Sequence, residues 1–280
     1  MTTLQQIIPQ IFIPHLPPKR PIRSQPRTAG YAPTAAPPQH HVPYWIRYDP
    51  TLADSMMQKL QAYLPTAPGG NFPPSPRLQN YLNCLPEDLL RAGLGHLSTE
   101  ETTVEFWDYC LFDRIRYAVM EIDQNDALPA EEAIRTLYDH TPDALILPLP
   151  NTPPALHYEA KSWHVFDKFA PDILTLAQHD EDGQTGTYLD MGINEEDARS
   201  IIFKLGISMI CAGNPVSCFG GHKFMLFSLF RNENTLGEAR YGLACSEIID
   251  CTDNARLIIP LVTYCRRVNF TDEDDENLCH

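Results

Sequence analysis

The chain has 280 residues, of which 43% are hydrophobic and 10% aromatic, so it can bury a sizeable core. Its 36 acidic and 21 basic residues give a net charge of −15. This balance argues against broad, nonspecific nucleic-acid binding, because phosphate affinity comes largely from Lys and Arg. The sequence contains no run of 18 or more apolar residues, so we expect no membrane span and no membrane partner.

The N-terminal region differs in composition from the rest. Residues 1–43 contain ten prolines, and no Asp or Glu occurs before Asp49. We predict a disordered, Pro-rich basic arm over residues 1–43 and a partly ordered arm or linker over residues 44–80. The basic run from Pro18 to Arg23 is open to two functional interpretations, a nuclear-import signal or a phosphate-contacting arm. An ordinary solvated linker is the third interpretation.

The first predicted helix begins near residue 98. Ser98 to Glu101 has the pattern of a capping box, with Ser98 as N-cap and Glu101 at N3. Apolar residues then recur at spacings of three or four, which predicts a helix. They are Val104, Trp107, Leu111, Ile115, Ala118 and Ile122. A second helix is predicted over residues 128–138, with Pro129 near its start.

Two short strands with a turn between them follow Asp143. Residues 144–147 and 155–158 are the predicted strands, and the proline-containing run from Pro148 to Pro154 separates them. This pattern predicts a hairpin.

Acidic and basic side chains share one face of the second strand. Because side chains alternate along a strand, His157, Glu159 and Lys161 lie on the same side. Asp143 from the first strand and Glu159 from the second can then converge on one hard divalent cation, which takes oxygen ligands. Lys161 would lie within reach of a water bound to that ion.

This stretch resembles the active-site hairpin of the PD-(D/E)XK nuclease superfamily, which includes restriction enzymes, repair nucleases and cap-snatching endonucleases. The resemblance rests on Pro142-Asp143 followed by Glu159-Ala160-Lys161. It implies that Asp143 and Glu159 hold Mg²⁺ or Mn²⁺ and that Lys161 orients or activates the attacking water. It also implies a restriction-endonuclease-like core and a metal-dependent hydrolase that cleaves DNA or RNA.

The resemblance further implies a helix before the hairpin that often lends a glutamate to the metal site. The acids available on the predicted helix are Glu105, Asp108 and Glu121, and we favour Glu121. The superfamily places a strand between this helix and the hairpin. Here a second helix is predicted instead, so the chain departs from the superfamily pattern at that point.

Two other interpretations stay open. The protein could be a noncatalytic acidic α/β module that binds a protein partner, including a degenerate relative of such nucleases. Glu159 and Lys161 would then form a surface ion pair on an edge strand. Separately, Cys218 and His222 could supply half of a zinc site, although no second pair follows at a suitable spacing.

Downstream, the acidic run at residues 195–197 precedes an apolar stripe at Ala198, Ile202, Leu205 and Met209, which predicts a helix ending before Gly213. Strands are predicted at residues 224–230 and 241–245, and a last helix at residues 255–267. The simplest packing of these elements is an α/β fold with a mixed central β-sheet flanked by helices. Together with the resemblance, this packing implies a nuclease-like α/β domain over residues 81–270, followed by an acidic tail over residues 271–280.

The eight cysteines form no CxxC pair and lie mostly in apolar segments, which is typical of free thiols in a reducing compartment. The start of the chain lacks the charged and apolar regions of a signal peptide. We therefore expect an intracellular protein, in the nucleus or the cytoplasm and not secreted.

Overall fold

The computed structural model describes residues 3–7, 43–82, 99–107, 113–124, 144–146, 156–179, 187–188, 198–212, 216–233 and 239–250. The helices in these segments are α1 (Leu4–Ile7), α2 (Leu52–Tyr63), α3 (Pro76–Leu82), α4 (Glu100–Trp107), α5 (Asp113–Asp123), α6 (Trp163–Gln178) and α7 (Ala198–Ala212). The strands are β1 (Pro43–Tyr48), β2 (Ala144–Ile146), β3 (Leu156–Ala160), β4 (Thr187–Tyr188), β5 (Val216–Gly220), β6 (Lys223–Glu233), β7 (Ala239–Cys245) and β8 (Ile249–Asp250).

The strands form one mixed β-sheet with the order β2-β3-β5-β6-β7-β1-β4, and β8 pairs with β6 beside this path. Strands β3 and β5 are parallel, as are β1 and β7, and the other described pairs are antiparallel. A parallel pair needs a long connection, and α6 and α7 occur between β3 and β5 in the chain. The prediction of an α/β protein with a mixed central sheet and flanking helices is confirmed.

One face of the sheet packs against α6 and α7. The sheet contributes Ile46, Phe219, Met225, Phe227, Leu229, Leu243 and Cys245 to this core, and α6 contributes Val165, Phe166, Phe169, Ala170, Ile173 and Ala177. The predicted stripe of α7, at Ala198, Ile202, Leu205 and Met209, is at most 2% exposed, so this helix prediction is confirmed.

The opposite face of the sheet carries an aromatic cluster under α4. Trp107 of α4 meets Phe224 of β6 edge to face, with ring centroids 4.5 Å apart. Tyr158 of β3 lies beside the same ring, at a centroid distance of 6.2 Å. The buried indole of Trp107 donates a hydrogen bond of 2.6 Å to the carbonyl oxygen of Gly221, which satisfies its N–H group.

Helix α4 begins one residue later than the sequence indicates. Thr99 and Thr102 exchange reciprocal hydrogen bonds, each backbone N–H donating to the other hydroxyl at 3.1 Å. This is the geometry of a capping box with threonine in place of Glu at N3, so the predicted pair of Ser98 and Glu101 is corrected. A threonine hydroxyl can both donate and accept, which lets Thr102 replace the expected acid.

Helix α6 has no counterpart among the predicted elements. Pro171 lies inside this helix, although proline usually disrupts a helix interior because it lacks a backbone N–H. Buried residues at spacings of three and four, from Val165 to Ala177, hold the helix against the sheet despite this proline. Tertiary packing outweighs the local preference here.

Strand β1 lies where the arm and the linker were predicted to meet. It pairs in parallel with β7, with Tyr48 opposite Cys245, and antiparallel with β4, with Trp45 opposite Tyr188. Ile46 is fully buried in the core. Strands β1 and β7 lie far apart in the chain, so their pairing leaves no pattern in the local sequence. Sequence periodicity therefore did not predict β1.

Several predicted features lie outside the described residues. They are most of the arm (residues 8–42), Ser98, Asp108, Leu111, the helix at residues 128–138, Asp143, the acids at residues 195–197, the helix at residues 255–267 and the acidic tail. These features and the proposed domain boundaries stay predictions.

No helix in the described part of the chain is both long and apolar enough to cross a membrane.

The burial of β1 leads to a test of its place in the core. Ile46→Ala removes a fully buried side chain and is expected to lower the free energy of unfolding by about 2–5 kcal/mol. Phe72→Ala, at a side chain that is 53% exposed, is the control and should change it by less than about 0.5 kcal/mol. Urea denaturation of both variants measures the difference. Equal stabilities would mean that β1 is not part of the core.

Candidate functional site

Glu159 is a carboxylate on an internal strand of the sheet. It lies on β3, opposite Phe219 of β5, and is 0% exposed. Phe219 belongs to the core shared with α6 and α7, so Glu159 lies among apolar groups. Burial of a charged carboxylate is costly unless cations and hydrogen-bond donors surround it.

Two lysines supply the positive charge. The Lys161 Nζ lies 2.6 Å from the Glu159 Oε1, and the Lys204 Nζ contacts the same oxygen. Lys161 directly follows β3, where its backbone N–H donates to the carbonyl oxygen of Gly220 at 2.7 Å. Lys204 reaches in from α7. Two ammonium groups, one after the end of β3 and one on α7, therefore contact a single oxygen of the Glu159 carboxylate.

A second carboxylate joins through Lys161. The Lys161 Nζ donates to Glu100 Oε1 at 3.0 Å and to the carbonyl oxygen of Ala160 at 2.6 Å. Glu100 is the first residue of α4, where the helix dipole favours a negative charge. Its side chain is 47% exposed, in contrast to that of Glu159. Glu100, Glu159, Lys161 and Lys204 are called the Glu159 cluster below, and their formal charges cancel.

The burial of Glu159 corrects one interpretation of the sequence. Glu159 and Lys161 do not form a surface ion pair on an edge strand, because β3 lies between β2 and β5 and both side chains are buried. That alternative placed β3 at an edge because sequence alone does not show that β5 pairs with β3.

The predicted hairpin is present, and it leads from Asp143 towards Glu159. Strands β2 and β3 are antiparallel, with Ala144 opposite Tyr158. Asp143 directly precedes Ala144 in the chain, and Glu159 directly follows Tyr158. Asp143 itself lies outside the described residues, as does the side chain of His157.

Glu121, the favoured helix acid, has other contacts. It lies on α5, where its carboxylate accepts a 2.8 Å hydrogen bond from the backbone N–H of Ser75 and another from the Ser75 hydroxyl. The side chains of Glu105 and Asp108 lie outside the described residues. Among the helix acids that the structure describes, Glu100 is the one in contact with Lys161.

Glu100 and Lys204 were missed by the sequence analysis, although each leaves a signal. Glu100 is in the first turn of a helix predicted from its capping box. Lys204 stands between Phe203 and Leu205, which are 1% and 0% exposed, in a mostly apolar helix whose other charged residue is Arg199. A lysine in such a setting needs a partner.

The oxygen donors of the cluster match the chemistry of Mg²⁺ and Mn²⁺, which are bound by carboxylates and waters. Within the described segments, no group of three or more His, Cys, Asp or Glu side chains is arranged to hold a metal ion. A metal site that includes Asp143 stays a prediction, because Asp143 lies outside the described residues.

The alternative zinc half-site gains no support. Burial raises the pKa of the Cys218 thiol well above its ordinary value, and among the described residues Cys218 and His222 belong to no group of three or more side chains that could hold a metal ion. The His222 Nε2 lies 3.2 Å from the Asp167 Oδ1, so the imidazole contacts a carboxylate on α6.

No protein-family model matches the chain, and neither does any curated protein or solved structure.

The cluster leads to a stability prediction. Glu159→Gln leaves two ammonium groups without their carboxylate and is expected to lower the free energy of unfolding by about 3 kcal/mol. Glu100→Gln removes a half-exposed carboxylate and should cost less than about 1 kcal/mol. Chemical denaturation of both variants provides the comparison. An unchanged or higher stability for Glu159→Gln would show that the lysines do not depend on this carboxylate.

Proposed function

We propose that the protein is a metal-dependent phosphodiesterase of the PD-(D/E)XK type that hydrolyses DNA or RNA. One observation carries the proposal: at the end of an internal strand, the Lys161 ammonium lies 2.6 Å from the Glu159 carboxylate. The motif requires an acid and a lysine side by side at this position, next to the strand that follows Asp143.

Asp143 and Glu159 are the proposed ligands of Mg²⁺ or Mn²⁺, and Glu100 is the proposed acid from the helix. The bound ion would supply a water activated at neutral pH and neutralise charge that develops on the phosphate. Lys161 is proposed to orient the attacking water. Its contact with Glu100 makes Glu100 a better candidate than Glu121 for the helix acid.

The order of elements supports a restriction-endonuclease-like core. Helix α4 precedes the β2–β3 hairpin, and α6 and α7 lead to β5, which is parallel to β3. The proposed partner is nucleic acid, although the chain after residue 48 carries 16 basic and 36 acidic residues. Binding would therefore depend on the metal ion and on local contacts rather than on a broad basic surface.

A noncatalytic α/β module that binds a protein partner is the second candidate. It is favoured by the complete burial of Glu159, whose charge two lysines already compensate. In this alternative the Glu159 cluster is a structural ion-pair network that joins β3, α4 and α7.

Cleavage of nucleic acid distinguishes the two candidates. With Mn²⁺, the wild type should cleave at least one substrate in a panel of single- and double-stranded DNA and RNA. Lys161→Ala and Asp143→Ala should each lower the rate by about 100-fold or more, because they remove the water-positioning group and a metal ligand. Gel analysis of end-labelled substrates measures the rates.

The controls are chelation with EDTA, which should abolish cleavage, and circular dichroism, which checks that the variants are folded. Activity that survives both substitutions would come from a contaminant or from another site. Absence of activity in the wild type across the panel would favour the noncatalytic module.

A second activity prediction concerns the helix acid. Glu100→Gln is expected to lower the cleavage rate at least tenfold, because Glu100 contacts Lys161. Glu101→Gln removes the same charge from the next residue, which is exposed, and serves as the matched control. Glu121→Gln, assayed in parallel, decides between the two acids. A large loss in Glu121→Gln and none in Glu100→Gln would return the role to Glu121.

A further inference from the structure

The two lysines of the Glu159 cluster are held differently. Lys161 contacts Glu159, Glu100 and the carbonyl oxygen of Ala160, and its side chain is 10% exposed. Lys204 contacts Glu159 alone among the described residues, and its side chain is 20% exposed. Lys204 is therefore the less restrained of the two ammonium groups.

A divalent ion at Glu159 would meet both ammonium groups at close range. The four side chains of the cluster are neutral together, and the proposed ligand Asp143 adds one negative charge, so a divalent ion leaves the site with a net positive charge. Repulsion between cations is strong where water is largely excluded. Displacement of the ammonium group with fewer contacts breaks the fewest hydrogen bonds and ion pairs, and that group belongs to Lys204. Its flexible four-carbon stem can carry the charge towards solvent while the backbone of α7 stays in place.

We propose that Lys204 is the counter-cation of Glu159 in the metal-free protein and that a divalent ion displaces it. Lys204 is then a positioning residue, which holds the buried carboxylate in its charged form until the ion arrives. The inference rests on the proposed function, because it assumes that Glu159 is a metal ligand. It adds a competition between an ammonium group and the ion for the Glu159 carboxylate.

Metal affinity tests this competition directly. Isothermal titration of the full chain with Mn²⁺ should give about tenfold tighter binding for Lys204→Met than for the wild type, a difference of about 1.4 kcal/mol. Lys204→Arg keeps the positive charge and should bind Mn²⁺ like the wild type. Lys168→Met, which removes an exposed lysine from α6, controls for the change in net charge and should leave the affinity unchanged.

A second measurement uses the wild type and does not depend on the folding of a variant. Mild acetylation, read by peptide mass spectrometry, should label Lys204 faster when Mn²⁺ is added. Labelling of Lys168 should not change, and Lys161 should stay protected in both conditions.

The outcomes separate this inference from the proposed function. Equal Mn²⁺ affinity in the wild type and Lys204→Met, with loss of binding in Glu159→Gln, overturns the role of Lys204 and leaves the metal site intact. If neither the wild type nor Lys204→Met binds Mn²⁺, both the role of Lys204 and the proposed metal site are overturned. If Lys168→Met also binds Mn²⁺ more tightly than the wild type, the change in net charge explains the tighter binding of Lys204→Met. That result would also overturn the displacement of Lys204.

Discussion

The complete burial of one carboxylate, Glu159, is the constraint on which this site depends. A charge inside the core is tolerated only with cations beside it, and Lys161 and Lys204 meet that requirement. Since Lys161 also binds Glu100, the end of β3, the start of α4 and the middle of α7 are connected at one point. Helices on the two faces of the sheet are thus linked through a single ion-pair network, so substitutions in it are expected to affect stability.

The turn between β5 and β6 packs closely against Phe166 and the backbone of Lys161. A Cβ atom at Gly221 would lie 2.7 Å from the Cβ of Phe166 and 3.2 Å from the carbonyl oxygen of Lys161, so the close approach requires glycine. Trp107 donates to the carbonyl oxygen of the same glycine from the opposite helical layer. Both layers therefore meet beside the backbone of Lys161.

The two candidate functions differ in one physical property of the Glu159 cluster. In a structural network the ion pairs persist, and burial of Glu159 serves to join elements of the fold. In a nuclease the carboxylate has to exchange an ammonium partner for a divalent ion, which requires one lysine with few contacts. The unequal contacts of Lys161 and Lys204 are compatible with such an exchange. Burial of Glu159 is therefore compatible with the proposed metal site if the ion displaces Lys204 as proposed.

The sequence by itself determined the elements whose signals are local. The β2–β3 hairpin follows from apolar runs around a proline-rich turn, α7 from its 3.6-residue periodicity, and the shared face of Glu159 and Lys161 from strand alternation. Only the tertiary structure decided which strands are internal and which helix acid approaches Lys161. It brought β1 beside β7, formed α6 in spite of Pro171, and directed Lys204 to Glu159. Each of these depends on contacts between residues far apart in the chain. The free energy of those contacts outweighs local preferences such as the helix-breaking tendency of Pro171.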